Sequence, residues 1–456
     1  GGIATETERD RLGRVTSQTT RHNRRRLNEK EYIWGLNDQL LSITNNGKQT
    51  LFEYDGWGNL AKATYPDGKV ELRNPDKVGN LFETVDRIDR KYSAGGRLEQ
   101  SKDWTYKYDD EGRLIEKRHR VQVQQAWKYH WNSAGMLEEV VRPDGSTVSF
   151  KYDALGRRIE KRLFNRKTRW VWDGNVPLHE WYEVYTKDFT EEKGEFYTMK
   201  PSKTTTWLFE EGTFIPNGKL VGEENFSIQS NYLGTPEVMY NADGKVVWSA
   251  ELDAYGDVRN LTGERTDCPF RFQGQYEDRE TGLYYNRFRY YDPNAGNYLS
   301  QDPIGLFGGI NQYAYVHDPN SWLDEFGLSK TPTSTLQKNW LEYVGSQHTN
   351  SDIHHGFPEE FADRFKKIAD IDVNNPEYYY NLSKEKHTKR PGVHTNSSRT
   401  GKNWNKTWSG ILDRVEKMNL SKVDAKSFLE ARLRELARKE RISKYNAKAV
   451  KGANCH

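Results

Sequence analysis

One seven-residue phrase recurs along the first part of the chain and limits what it can fold into. It reads RDRLGRV at 9–15, YDGWGNL at 54–60, YSAGGRL at 92–98, YDDEGRL at 108–114, WNSAGML at 131–137 and YDALGRR at 152–158. From Gly58 the glycine returns after 38, 16, 23 and 21 residues, a unit of about 20 with one copy degraded. The phrase has the chemistry of a turn: an aromatic residue and Asp lead into a Gly that supplies positive φ. Segments such as LIEKRHRVQVQQAWKYHW (114–131) follow, rich in strand formers and partly alternating in polarity. PDG at 66–68 and 143–145 marks the opposite hairpin turns. Stacked hairpins of this kind predict a mainly β protein, one long curling antiparallel sheet whose inner face need not be apolar.

The 456 residues allow two or three domains. Hydrophobic content is low at 34%, but 13% of residues are aromatic, with 27 Tyr and 14 Trp, which excludes a disordered chain. Cys268 and Cys455 lie far apart in dissimilar contexts and support neither a disulfide framework nor a cysteine zinc site. No apolar run approaches the ~18 residues of a membrane span, and nothing in the given sequence reads as a signal peptide. The chain opens on Gly1 inside the repeat pattern, so a longer protein with further N-terminal sequence is expected.

Two Asp-x-x-Gly-Leu phrases follow the repeats, DPIGL at 302–306 and DEFGL at 324–328. Two carboxylates held together share a proton, leaving one as general base for water and the other as general acid for a leaving amine. Spacing along the chain does not show that Asp302 and Asp324 meet, and both phrases also read as Asp-initiated turns.

From Ser329 onward the pattern turns helical. FPEEFADRFKKIA (357–369) sets Phe357, Phe361, Phe365 and Ile368 on one face, and WNKTWSGILDRV (404–415) aligns Trp404, Trp408, Ile411, Leu412 and Val415. SKVDAKSFLEARLRELARKERI (421–442) opens with Ser421 and Asp424 at capping-box spacing, and EYYYNLS (377–383) reads as a strand. Residues 329–456 hold 24 Lys and Arg against 15 Asp and Glu, whereas the whole chain is only +3, so the first 328 residues are acidic. A basic segment behind an acidic one suggests a polyanionic target such as nucleic acid, although a solvated basic helix would have the same composition. Six of the eleven histidines lie in this segment, including His354, His355, His387 and His394. Imidazole is a common transition-metal ligand and the usual general base near neutral pH.

The repeats resemble the Rhs/YD-repeat family over roughly residues 1–328, together with VWDGNVPLHEW (171–181), NYLGTPEVMYNADGKVVWSAELDAYG (231–256) and the long stretch 270–320. The resemblance implies a YD-repeat β-cocoon (1–268), a core-associated segment with a self-cleavage motif (269–328) and an enclosed C-terminal toxin domain (329–456). It further implies aspartic-protease-like self-cleavage between Leu328 and Ser329, with Asp302 and Asp324 as the acid–base pair. The family's second motif has Pro after the Asp, where this chain has Glu325 and then Phe326. IHHGFPEEF, NLSKEKHTKRPGVHT and NWNKTW (within 352–412) resemble HNH/His-Me finger nucleases. That resemblance implies a small α+β domain with a ββα-metal core and a divalent metal ion (Mg, Mn, Ni or Zn). His355 would be general base, His354 and His394 metal ligands, and His387 an orienting residue or ligand; Asn403 or Asn405 could assist. Pro391 and Gly392 interrupt any helix joining His387 to His394. DNA is the expected substrate. The family also implies export as a secreted effector through type VI secretion, action in the cytoplasm of a competing bacterium, and a cognate immunity protein at home. The competing expectations are an RNase or ADP-ribosyltransferase toxin in the same shell, a structural zinc site, or a YD-repeat surface protein with no activity.

Overall fold

The computed structural model describes residues 2–11, 13–35, 39–190, 194–305, 310–328, 351–355, 357–373, 378–383, 404–418 and 420–439. The chain divides into two compact units, Gly1–Thr331 and Pro332–His456.

The first unit is mainly β because its repeated turn is self-contained. In YDDEGRL the Asp109 amide donates to the Arg113 carbonyl (2.9 Å) and the Gly112 amide to the Asp109 carbonyl (3.0 Å). The Asp109 carboxylate then accepts the Arg113 amide (2.8 Å) and Arg113 Nε (2.7 Å). Gly112 carries the left-handed φ of +75° that closes the loop, and the strand register shifts beside it, between Lys107 and Tyr108. Turn after turn, the chain goes up and down without crossovers. Seven antiparallel strands between Ile3 and Leu72 form one sheet in sequence order, and 17 between Lys91 and Thr262 form another.

Where the phrase opens on an aromatic residue, that residue links one repeat to the one before. The Tyr54 hydroxyl donates to the Leu40 carbonyl (3.0 Å), Tyr92 to Leu81 (2.6 Å), Tyr108 to Leu98 (3.1 Å) and Tyr152 to Leu137 (2.6 Å). Indole N–H groups do the same, from Trp131 to Leu114 (2.8 Å) and from Trp172 to Arg158 (2.8 Å). An aromatic body packs in the sheet's inner layer while its polar tip satisfies a main-chain acceptor. The copy that the sequence reading took as degraded is a full turn at Asp76–Asn80, where the Gly79 amide donates to Asp76 (3.1 Å). Pro75 stands in place of its aromatic residue and has no donor to offer.

The repeat leucines (Leu98, Leu114, Leu137) share one core with Trp170, Trp207, Trp248 and with Tyr276, Tyr285 and Tyr290 of a four-stranded sheet. That sheet comprises Tyr276–Asp278, Leu283–Asn286, Arg289–Asp292 and Asn297–Tyr298. Residues 269–328 thus lie in the same compact unit as the repeats.

In the second unit, strand Ser351–His355 pairs antiparallel with Tyr379–Ser383. Three helices follow the periodicity of their apolar residues: α1 (Ala362–Ala369), α2 (Trp404–Lys417) and α3 (Lys422–Lys439). The α2 stripe of Trp404, Trp408, Ile411, Leu412 and Val415 is buried as its spacing predicts. Phe357 is also buried but precedes α1, packing on Phe365 and Trp408. Ser421 caps α3, its hydroxyl accepting the Asp424 amide (3.2 Å) and donating to the Asp424 carboxylate (2.6 Å). Among the described residues no helix is long and apolar enough to cross a membrane.

Candidate active site

The two Asp-x-x-Gly phrases meet on one arginine. Arg289 Nη2 lies 2.9 Å from Asp302 Oδ2 and 3.1 Å from Asp324 Oδ2, and none of the three side chains is more than 1% exposed. The rest of the guanidinium is also engaged: Nη1 donates to the Gln312 carbonyl (3.0 Å) and Nε to the Gly327 carbonyl (2.5 Å). Its plane lies over the Tyr298 ring, 3.7 Å from the centroid.

Asp324 is built into its own phrase. Its Oδ1 accepts the Leu328 amide (2.9 Å) and its Oδ2 accepts the Tyr298 hydroxyl (2.9 Å). Asn286 Nδ2 donates both to the Tyr298 hydroxyl (2.7 Å) and to the Asp324 carbonyl (2.9 Å). Asp302 opens a turn in which Oδ1 accepts the Ile304 amide (3.0 Å) and the carbonyl accepts the Gly305 amide (2.8 Å). Turn and site are therefore the same structure here. Burial and the neighbouring Asp324 charge push the Tyr298 and Tyr315 phenols well above their ordinary range. Both stay neutral, and Tyr298 donates to Asp324.

Such an arrangement holds two carboxylates on one guanidinium, one of them bonded to the Leu328 amide, and shields both from bulk water. Arg289 is the residue that reading the sequence missed. The signal for it was physical: a buried carboxylate pair demands a cation, and RFRYYD (287–292) lies in the same segment as the first Asp.

Of the predicted cleavage bond, Leu328 is described and Ser329 lies outside the described residues. His354 and His355 occupy the strand Ser351–His355, in register with Tyr380 and Tyr379. His387, His394, Asn403 and the interrupting Pro391 and Gly392 also lie outside the described residues. Among the described residues no three His, Cys, Asp or Glu side chains gather as a metal site.

A profile of the Teneurin YD-shell matches residues 3–315. This chain belongs to the Teneurin YD-shell family. Its relatives include Rhs proteins, as the repeats implied. The YD shell is 35% identical over 323 residues to "Probable deoxyribonuclease RhsA" of Dickeya dadantii, covering 62% of this chain and 21% of that protein. It is 32% identical over 296 residues to "Double-stranded DNA deaminase toxin A" of Burkholderia cenocepacia, covering 61% and 21%. "Toxin protein Tse5" of Pseudomonas aeruginosa is 29% identical over 336 residues, covering 65% and 25%. The chain thus spans a quarter or less of the length of these relatives. Among solved structures, TcdB2-TccC3-Cdc42 covers 74% of this chain and 19% of its own at 18% identity, with a TM-score of 0.44.

Proposed function

We propose that this YD shell is the delivery part of a polymorphic toxin that cuts its own chain between Leu328 and Ser329 and so frees a C-terminal metal-dependent HNH-type DNase. The observation that carries the self-cleavage reading is the convergence of buried Asp302 and Asp324 on Arg289, with the Leu328 amide bonded to one of them. With one proton on the pair, two carboxylates and a guanidinium form a neutral buried cluster. The ionised carboxylate takes a proton from water, whose oxygen adds to the Leu328 carbonyl carbon. The protonated one delivers its proton to the Ser329 nitrogen as the C–N bond breaks. The products are a Leu328 carboxyl terminus and a free Ser329 amine, and no cofactor is consumed.

The nuclease reading is supported by the basic charge of 329–456, by the histidines and by relatives named as deoxyribonucleases. Imidazole donors fit a divalent transition metal, with His354 and His394 as its ligands. Such an ion, when bound, would polarise a scissile phosphate, while His355 would take the proton from the attacking water and His387 orient it or ligate. Export by type VI secretion, action in a target cell's cytoplasm and a cognate immunity protein belong to the same reading.

Two assays test it. On a denaturing gel the purified chain should yield two fragments joined at 328/329, and Asp302→Asn and Asp324→Asn should stay whole; an uncut parent chain defeats the self-cleavage reading. Incubated with plasmid DNA and Mg, Mn, Ni or Zn, the chain should cut DNA, and EDTA or His355→Ala should abolish cutting. Intact DNA under all four metals defeats the DNase reading; degraded RNA, or activity needing NAD and indifferent to chelation, would favour one of the rival toxin classes instead.

A further inference from the structure

We propose that the self-cleavage centre recognises its substrate segment by main-chain shape at position 325, seated on Gly274, and by an apolar side chain at position 326, seated on Phe214. The proposal rests on the self-cleavage reading and deepens it. Each carbonyl from Asp324 to Gly327 meets a specific group of the shell. That of Asp324 accepts Asn286 Nδ2 (2.9 Å), that of Phe326 the Phe288 amide (3.2 Å) and that of Gly327 Arg289 Nε (2.5 Å). The Glu325 carbonyl lies directly on Gly274.

That contact admits no side chain. Gly274 has φ +83°, and a Cβ there would overlap the Glu325 carbonyl oxygen and come within 2.6 Å of its carbon and 2.9 Å of its Cα. Gly274 sits in the tight loop Arg271–Gln275, held by the Arg271 amide on the Gln275 carbonyl (3.1 Å), so it has little freedom to retreat. The contact Gly274 makes is with the backbone of position 325, and that contact is the same with Glu there as it would be with Pro.

Position 326 is read differently. The Phe326 ring meets Phe214 edge-on, with centroids 5.2 Å apart and planes at 89°. Phe214 lies in the turn closed by the Glu210 amide on the Ile215 carbonyl (2.9 Å). With Phe209, Phe270 and Gly274 it lines an apolar cavity of about 30 Å³. Together these contacts select a segment whose backbone lies flush at position 325 and whose side chain at position 326 is apolar.

The test is the rate of chain cleavage in full-length variants, read on denaturing gels with the cut placed by mass spectrometry and the fold followed by thermal melting. Gly274→Ala should slow cleavage about 100-fold, the scale of a 1 Å misplacement of reacting groups. Phe214→Ala and Phe326→Ala should each slow it about 3- to 10-fold, the worth of one aromatic pair. The double variant should be no slower than the slower single, and Phe326→Leu should recover most of the rate. Gly274→Ala cutting at the parental rate overturns the proposal. So does a double variant slowed by the product of its singles, and that cycle decides the matter even where Gly274→Ala fails to fold. A parent chain that is never cut overturns the self-cleavage reading itself.

Discussion

Arg289 faces two carboxylates taken out of water, and its single charge balances the pair when they share one proton. Removing a partner from a buried ion pair leaves charge without compensation, typically at a cost of 3–5 kcal/mol. Arg289→Gln should therefore lower the unfolding free energy by about 3–5 kcal/mol in denaturant titrations, as well as leave the chain uncut. Asp253 shows the converse, a carboxylate placed near another. It opens the turn Asp253–Asp257, accepting the amides of Tyr255 (2.9 Å) and Asp257 (2.9 Å), and the adjoining Ala254 amide donates to Glu71 (2.9 Å). Burial, then the Glu71 charge, pushes its carboxyl from 3.8 up to about 7. Between those values the folded chain binds a proton that the unfolded chain has lost. Stability from this group is therefore greatest in acid, falls as pH rises through that window and levels off above about 7. Asn231 opens a sister turn by accepting the amides at the matching places, Leu233 (2.9 Å) and Thr235 (3.1 Å), so Asn fits the role. Asp253→Asn should remove this part of the pH dependence and raise the melting temperature at pH 8, as calorimetry from pH 5 to 8 would show.

At the scale of elements, the seven-residue phrase was legible because its turn draws on local chemistry alone. Asp, Gly and the following residue close the loop with bonds that span no more than four positions. Gly112 should be intolerant: at φ +75°, a Cβ would also fall 2.5 Å from Gln301 Nε2 and Tyr313 Oη. Gly112→Ala should cost more than the ~1 kcal/mol of left-handed strain alone, measurable by chemical denaturation. Tyr108→Phe should cost about 1 kcal/mol by losing the bond to Leu98 while its ring stays packed. The partner of that hydroxyl was not legible, since the bond joins one repeat to another and depends on how they stack. Asp76–Asn80 reads as a degraded copy for a related reason: Pro75 removes the aromatic marker and leaves the turn intact. In the second unit, α2 followed its 3.6-residue period, whereas the apolar stripe begun at Phe357 enters the core before α1 starts, as a loop residue can.

Over the whole molecule, the segment bearing Asp324 is held by residues far away in sequence. Arg73, buried at the end of the first sheet, donates to the carbonyls of Val316 (2.8 Å) and His317 (2.9 Å), and the Tyr232 hydroxyl reaches Asn320 (2.6 Å). Arg73→Met should therefore slow self-cleavage although residue 73 touches neither aspartate, with Tyr232→Phe a milder counterpart; gel time courses would check both. The sequence by itself determined the turns, the up-and-down order of strands, the helical stripes, the acidic and basic division of the chain and the two aspartates worth pairing. Those features rest on φ preferences, periodicity and charge, which are properties of short segments. Only the tertiary structure decided that Asp302 and Asp324 converge, that Arg289 is what joins them, and that Gly274 lets the Glu325 backbone lie flush against the shell. Each of these is a contact between segments distant in the chain, specified by how the sheets pack and not by any single stretch of residues.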